Sequence, residues 1–353
     1  MADVLIVDDS ALLRRVLKQM LSMDPGLNVV ACVDSGEAAL RFLDDTRVDV
    51  VTMDIHMPGM DGFEATRRIM ESSHPVPVVI ISSCWDPHEV EKTFEAMDAG
   101  AVAILPKPAD ISTGENEYSA ELLKTVNEAA MSKVGRLRQR KKYLKTEDAP
   151  RDAPRPSPHQ GGERSERRIS LVAIGASTGG PQALAEFLAR LPASFPRPLL
   201  VVQHIAAGFT SGLAEWLGKV TPLPVYVARN GQTAMNGVVY IAPDGFHMAV
   251  RQGGRLSLAK EPPEHMVRPS ASVLFRSVAA AYGGDAAAIL FSGMGKDGAA
   301  EMKALRNMGA FTFAQDKESS VVWGMPGEAV RLDAVEHVGS PAAIASLLVD
   351  LFR

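Results

Sequence analysis

Residues 4–17 read Val-Leu-Ile-Val-Asp-Asp-Ser-Ala-Leu-Leu-Arg-Arg-Val-Leu. Four apolar residues run into two acids, and then Leu12, Leu13, Val16, Leu17, Met20 and Leu21 recur at helical spacing. A short unbroken apolar run suits a strand buried on both faces, and the period that follows suits an amphipathic helix. The unit repeats. Apolar runs at 29–33, 48–53, 78–81 and 101–105 alternate with helical stretches at 35–43, 61–70, 89–97 and 120–131. Five strand–helix units in series predict a doubly wound parallel sheet with helices on both faces.

Apolar periodicity then stops. The pieces KVGRLRQRKKYLK (133–145) and APRDAPRPSPHQGGERSERR (149–168) are basic and rich in Pro, Gly and Arg, as expected of a flexible tether. Their charge suits either a solvated linker or a contact with an acidic partner or membrane face. Strand-like runs resume at 170–174, 199–203, 225–227, 238–241, 248–251, 256–258, 287–291 and 311–314. Helical patterns cover 181–189, 211–217, 271–281, 297–308 and 341–351. The fold class is therefore α/β, with two doubly wound parallel-sheet domains. The first is flavodoxin-like; the second is Rossmann-like with a β-hairpin insert over 238–258. The expected division is 1–131, a linker at 132–168, and 169–353.

Length and charge narrow the function. The chain has 353 residues, enough for two cores, and a formal net charge of −5, which argues against nucleic acid as a partner. Cys32 and Cys84 lie among apolar neighbours without a CxxC or Cys/His pattern, as for reduced core thiols. The first residues lack a secretory signal, and no apolar run approaches the roughly 18–20 residues of a membrane span. A cytoplasmic protein with no direct membrane insertion is expected.

Two sites follow from where strands end, because ligands of such sheets bind beyond the carboxyl ends of the strands. Asp8 and Asp9 follow the first strand in LIVDDS, Asp54 the third in VVTMDIHMPGMDG, Ser82 the fourth in VVIISSC, and Lys107 the fifth in AILPKP. Three carboxylates at one edge call for a hard cation such as Mg²⁺. With a hydroxyl and an ammonium beside them, they suit phosphoryl transfer to an aspartate. In the second half, Gly175-Ala176-Ser177-Thr178-Gly179 fits G-x-S-x-G between a strand and a helix, a turn that lifts a serine out at a sheet edge. His204 ends the next strand in PLLVVQHI, and Asp297 follows a later one in AAILFSGMGKDGAA. The three suit nucleophile, general base and orienter. His247 and His265 are further candidates near that edge.

The first 130 residues resemble response-regulator receiver domains. The resemblance implies phosphorylation at Asp54, a metal on Asp8, Asp9, Asp54 and the His56 carbonyl, phosphate contacts from Ser82 and Lys107, and a cis bond at Lys107–Pro108. Relatives more often have Glu at the position of His56. Residues from about 169 onward resemble the chemotaxis protein-glutamate methylesterases through IGASTGGPQAL, VVQH, IAPDGFH, RPSASVLFRSVA, FSGMGKDGA and AQDKESSVVWGMP. That implies hydrolysis of γ-glutamyl methyl esters on chemoreceptor cytoplasmic helices, with release of methanol and often glutamine deamidation. It implies the triad Ser177, His204 and Asp297 with no cofactor, and puts Thr178 and the Met294 amide near the oxyanion. It also implies a chemotaxis-type sensor histidine kinase as phosphoryl donor, and a receiver that covers the esterase until phosphorylated. The chain departs from the family at Ile205-Ala206, at Ala271-Ser272 where relatives often have Val and Asp after Arg-Pro-Ser, and at Lys317 where Glu is common. A phosphorylation-controlled binding module with a weakened or retargeted esterase site is the alternative these departures raise.

Overall fold

The computed structural model describes residues 1–82, 94, 96–108, 117–132, 134 and 168–352. The linker and most of the expected helix at 89–97, like Cys84, fall outside the described residues. The first sheet holds β1 (Ala2–Val7), β2 (Leu27–Val33), β3 (Val50–Asp54), β4 (Val78–Ser82) and β5 (Ala103–Pro106). All its pairs are parallel, in the order β2-β1-β3-β4-β5. Helices α1 (Ala11–Leu21), α2 (Gly36–Asp45), α3 (Gly62–Glu71) and α4 (Glu117–Ala130) pack around it. The second and third start one residue after the patterns predict, because Ser35 and Asp61, like Ser10 before α1, are extended N-caps whose side chains accept the amide three residues on. Ser10, not Asp8 or Asp9, caps α1, which leaves both acids for the strand end.

The second sheet has seven strands, β6 (Val172–Ala176), β7 (Leu199–Gln203), β8 (Val225–Val227), β9 (Val239–Ile241), β12 (Ala287–Leu290), β13 (Phe311–Gln315) and β14 (His337–Gly339). Their order is β14-β13-β12-β6-β7-β9-β8, again with parallel pairs throughout. Its helices are α5 (Gly180–Leu188), α6 (Thr210–Val220), α7 (Ala271–Tyr282), α8 (Ala299–Asn307), α9 (Met325–Arg331) and α10 (Pro341–Asp350). The strands β6, β7, β9 and β12 are wholly buried, which is why they read as unbroken apolar runs.

Three expectations change. The hairpin insert is only β10 (His247–Val250) against β11 (Leu256–Ala259), because Val239–Ile241 pairs with β7 and β8 in the main sheet. The patterns miss β14, whose three residues are too few to show a period, and α9, whose Pro326 and Gly327 argue against helix. Pro326 is tolerated because it sits in the first turn, where its missing N–H costs nothing. The one cis peptide among the described residues is Arg268–Pro269, so the Lys107–Pro108 bond is trans. No helix among the described residues is long and apolar enough to cross a membrane.

Candidate active site

The carboxyl end of β6 turns into α5 through Ser177, Thr178 and Gly179. Gly179 takes φ 74°, a left-handed conformation open to glycine, and a Cβ there would lie 2.5 Å from Val321. Hydrogen bonds fix the turn, from the Ser177 amide to the Ser292 carbonyl at 2.9 Å and from the Gly180 amide to the Ser177 carbonyl at 2.7 Å. The Ser292 hydroxyl donates to the Thr178 carbonyl at 2.7 Å. Gly293 passes so close that a Cβ would meet the Ser177 Cβ at 2.5 Å. The Gln203 side-chain amide donates to the carbonyls of both Ser177 and His204, at 2.8 Å each, and so ties the serine turn to the histidine's strand end.

His204 Nε2 lies 2.9 Å from Asp297 Oδ2. Asp297 is 2% exposed, and its other contacts explain how a carboxylate survives there. Oδ2 also accepts from the Ala271 amide at 2.6 Å, while Oδ1 accepts from the Ser270 hydroxyl at 2.7 Å and the Ser272 amide at 2.9 Å. Ser270 sits at the N-cap of α7 but makes no side-chain cap bond within that helix. Asp297 caps α7 from another part of the chain, where backbone amides and the positive dipole end favour an anion. Burial pushes its pKa up. The His204 hydrogen bond and charge, with Ser270 and Ser272, outweigh that and hold the carboxyl well below the usual range. Asp297 does not cap α8, whose N-cap is Gly298.

The structure thus brings Ser177, His204 and Asp297 to one sheet edge. With Nε2 committed to Asp297, the ring's Nδ1 is left for the serine. The Ser177 hydroxyl itself makes no hydrogen bond among the described residues. Thr178 follows Ser177 in the chain and Met294 follows Gly293, whose backbone passes close to Ser177, and neither the Thr178 nor the Met294 amide donates a hydrogen bond among the described residues. His247 is not part of this group: it is buried, with Nε2 3.0 Å from the Pro262 carbonyl. His265 sits at φ 53° in a two-residue turn closed by Glu264 and Val267. Sequence reasoning did not find Ser270, Ser272 or Gln203 as parts of the site. The departure at Ser272 keeps an acceptor, because its hydroxyl takes the Gly298 amide at 2.8 Å.

At the first sheet's edge, Asp8, Asp9 and Asp54 each offer an oxygen within 4.8 Å of the others. Lys107 Nζ lies 2.7 Å from Asp54 Oδ2 and 3.6 Å from Asp8 Oδ2 as an ion pair. Both of those oxygens are buried without a hydrogen bond. Burial, and then repulsion from Asp54, raise the Asp8 pKa against the pull of Lys107. Two buried acceptors that face Lys107 without a hydrogen bond, beside a third acid, fit a divalent cation, which takes carboxylate oxygens without needing a donor hydrogen. Ser82 is buried at the end of β4, and the exposed His56 donates its amide to Asp54 Oδ1 at 3.3 Å.

The two halves of the chain meet over the serine turn. Phe94 stacks on Trp216 of α6 with ring centroids 5.8 Å apart and lies edge-on to Phe209 at 6.4 Å. The Gly179 amide donates to the Val102 carbonyl at 3.2 Å. The Thr178 hydroxyl donates to Glu128 of α4, and the Gln182 side-chain amide donates to the Ala101 carbonyl.

Comparison with known proteins agrees with this architecture. Residues 172–348 match the family model for CheB methylesterase, and residues 4–117 match that for the response regulator receiver domain. A protein-glutamate methylesterase/protein-glutamine glutaminase of Syntrophus aciditrophicus is 44% identical over 99% of this chain and 98% of its own. One from Nitrosospira multiformis is 46% identical over 99% and 97%. The crystal structure of the Thermotoga maritima CheB methylesterase catalytic domain aligns with TM-score 0.50 and 35% identity, covering 52% of this chain and 98% of that one.

Proposed function

The chain belongs to the CheB methylesterase family with a response regulator receiver domain, and from that premise we propose how its residues divide the work. It is a protein-glutamate methylesterase and protein-glutamine glutaminase under phosphorylation control. Ser177 is the nucleophile, His204 the base and Asp297 the orienter. The observation that carries this assignment is the Asp297 carboxylate, buried, held ionised by four donors and facing His204 beside the serine turn.

His204 Nδ1 takes the Ser177 proton as the hydroxyl oxygen attacks the γ-carbonyl of the methylated glutamate. The imidazolium that forms is stabilised through Nε2 by Asp297. The amides of Thr178 and Met294 face the developing oxyanion, and each such donor is worth about 3–4 kcal/mol of barrier. His204 returns its proton to the leaving oxygen and methanol departs. Water, deprotonated by His204, then cleaves the acyl-enzyme to a glutamate carboxylate and free Ser177. The same steps on a glutamine side chain release ammonia.

Residues 1–131 are the receiver, 132–168 the tether and 169–353 the esterase. Asp54 accepts the phosphoryl group, with Lys107 neutralising its charge and Ser82 contacting a phosphate oxygen. Asp8, Asp9, Asp54 and the His56 carbonyl would hold Mg²⁺, which when bound supplies charge neutralisation for the transfer. The esterase needs no cofactor. The contacts from Phe94, Val102, Ala101 and Glu128 support a resting state in which the receiver covers the serine turn. Phosphorylation shifts that packing towards an open state. The substrates are chemoreceptor cytoplasmic helices, and a chemotaxis-type histidine kinase is the phosphoryl donor, both in the cytoplasm.

A serine-directed fluorophosphonate tests the site assignment. Labelling should map to Ser177, rise with a small phosphoryl donor, and vanish on His204→Ala. Labelling at another serine, or none from folded protein in either state, would contradict it.

A further inference from the structure

The receiver's contacts with the serine turn share a pattern. Among the described residues, the polar contacts across it run from donors on the esterase to acceptors on the receiver: the Thr178 hydroxyl to the Glu128 carboxylate, the Gly179 amide to the Val102 carbonyl, and the Gln182 side-chain amide to the Ala101 carbonyl and the Met97 sulfur. Thr178 and Gly179 are adjacent in the turn and Gln182 lies in the first turn of α5, so the three donors cluster at that helix's start, where the Gly179 N-cap amide has no partner within the helix. Glu128 is a buried carboxylate, 4% exposed, and it reaches the residue next to Ser177. Gln182 is only half matched, because its Oε1 is buried without a partner. The resting interface therefore satisfies the donors of this surface and leaves an acceptor stranded, which costs free energy.

We propose that Thr178 Oγ1, the Gly179 amide and the Gln182 carboxamide form a substrate subsite that reads side-chain carboxylates or carboxamides beside the scissile ester, and that the receiver inhibits by filling it with its own acceptors. The proposal rests on the methylesterase reading above. The substrate is a helix whose reacting group is a glutamate ester, and residues three or four positions away lie about 5–6 Å from it on the same face. An acid or amide there meets the donors that Glu128 and the two backbone carbonyls occupy at rest. A carboxamide also supplies the N–H that Gln182 Oε1 lacks. Glu128 thus imitates the substrate's neighbouring acid. Gln182 is a specificity residue that touches the substrate away from the reacting atoms.

Because one set of donors serves both ligands, changing a donor and changing an acceptor have different consequences. Gln182→Leu removes the donor from both states. Glu128→Ala removes only the receiver's acceptor. Methanol release from methylated chemoreceptor membranes is measured for full-length wild type and both variants, at rest and with a small phosphoryl donor. Both variants should raise the resting rate. In the phosphorylated enzyme, Gln182→Leu should raise KM about threefold to tenfold with kcat within about twofold, the scale of one hydrogen bond. Glu128→Ala should leave that KM at the wild-type value. If Gln182→Leu raises the resting rate but leaves KM unmoved, the donors serve the receiver alone and the subsite is overturned. A KM rise for Glu128→Ala would equally overturn it. If wild type releases no methanol in either state, the methylesterase reading fails and this inference with it.

Discussion

At the residue scale, Asp297 decides the chemistry. Asp297→Asn keeps the volume but loses the charge that stabilises protonated His204, and kcat should fall about 10⁴-fold with the fold intact by circular dichroism. Its depressed pKa also sets a sign. A carboxyl whose folded pKa lies below its unfolded value of about 3.9 contributes stability above that value and loses it as pH falls through the folded pKa. Urea unfolding of wild type and Asp297→Asn should therefore differ most near neutrality, with the difference starting to shrink only as pH falls below about 4. Asp8 carries the opposite sign. Its raised pKa means that ionising it costs stability as pH climbs past 3.8, so Asp8→Asn should raise receiver stability by a few degrees at pH 7 without divalent ions. Added Mg²⁺ should stabilise wild type and not the variant. Equal responses would remove Asp8 from the cation site.

At the scale of elements, strand ends and helix starts build both sites. The strand ends were legible because buried parallel strands read as apolar runs, so the residue after each run was known to within one or two positions. That placed Asp8, Asp54, Ser177 and His204. The helix starts were legible only in part. Ser10, Ser35 and Asp61 cap their own helices and announce themselves locally. Asp297 caps α7 from 26 residues away, a long-range contact with no local pattern. The signal that existed was Ser270 before a clear apolar helix, a cap-type residue whose hydroxyl turns elsewhere. Ser270→Ala should cost about 1–2 kcal/mol of stability and lower kcat more than it raises KM, because it loosens the carboxylate rather than the substrate. Gly293→Ala should be more severe for catalysis, since its methyl would collide with the Ser177 Cβ.

At the scale of the molecule, the contact between the two halves of the chain is what sequence could not give. Phe94 lies in one half and Trp216 and Phe209 in the other, and nothing in the spacing says that Phe94 stacks on Trp216. The covering of the serine turn entered as an implication of resemblance and acquires named contacts only in three dimensions. Truncating Phe94 to Ala empties the centre of that contact, so the resting enzyme should become several-fold more active while the phosphorylated rate stays near wild type. A linker that acts only as a tether would tolerate deletion of half its length with little change in the phosphorylated rate.

The most direct test of the account is methanol release from methylated chemoreceptor membranes by the full-length protein, with and without Mg²⁺ and a small phosphoryl donor, alongside Ser177→Ala and Asp54→Asn. The account predicts low resting release, a rise of tenfold or more on phosphorylation, no rise in Asp54→Asn, and no release from Ser177→Ala. Release that persists without Ser177, or a rise that persists without Asp54, would contradict it.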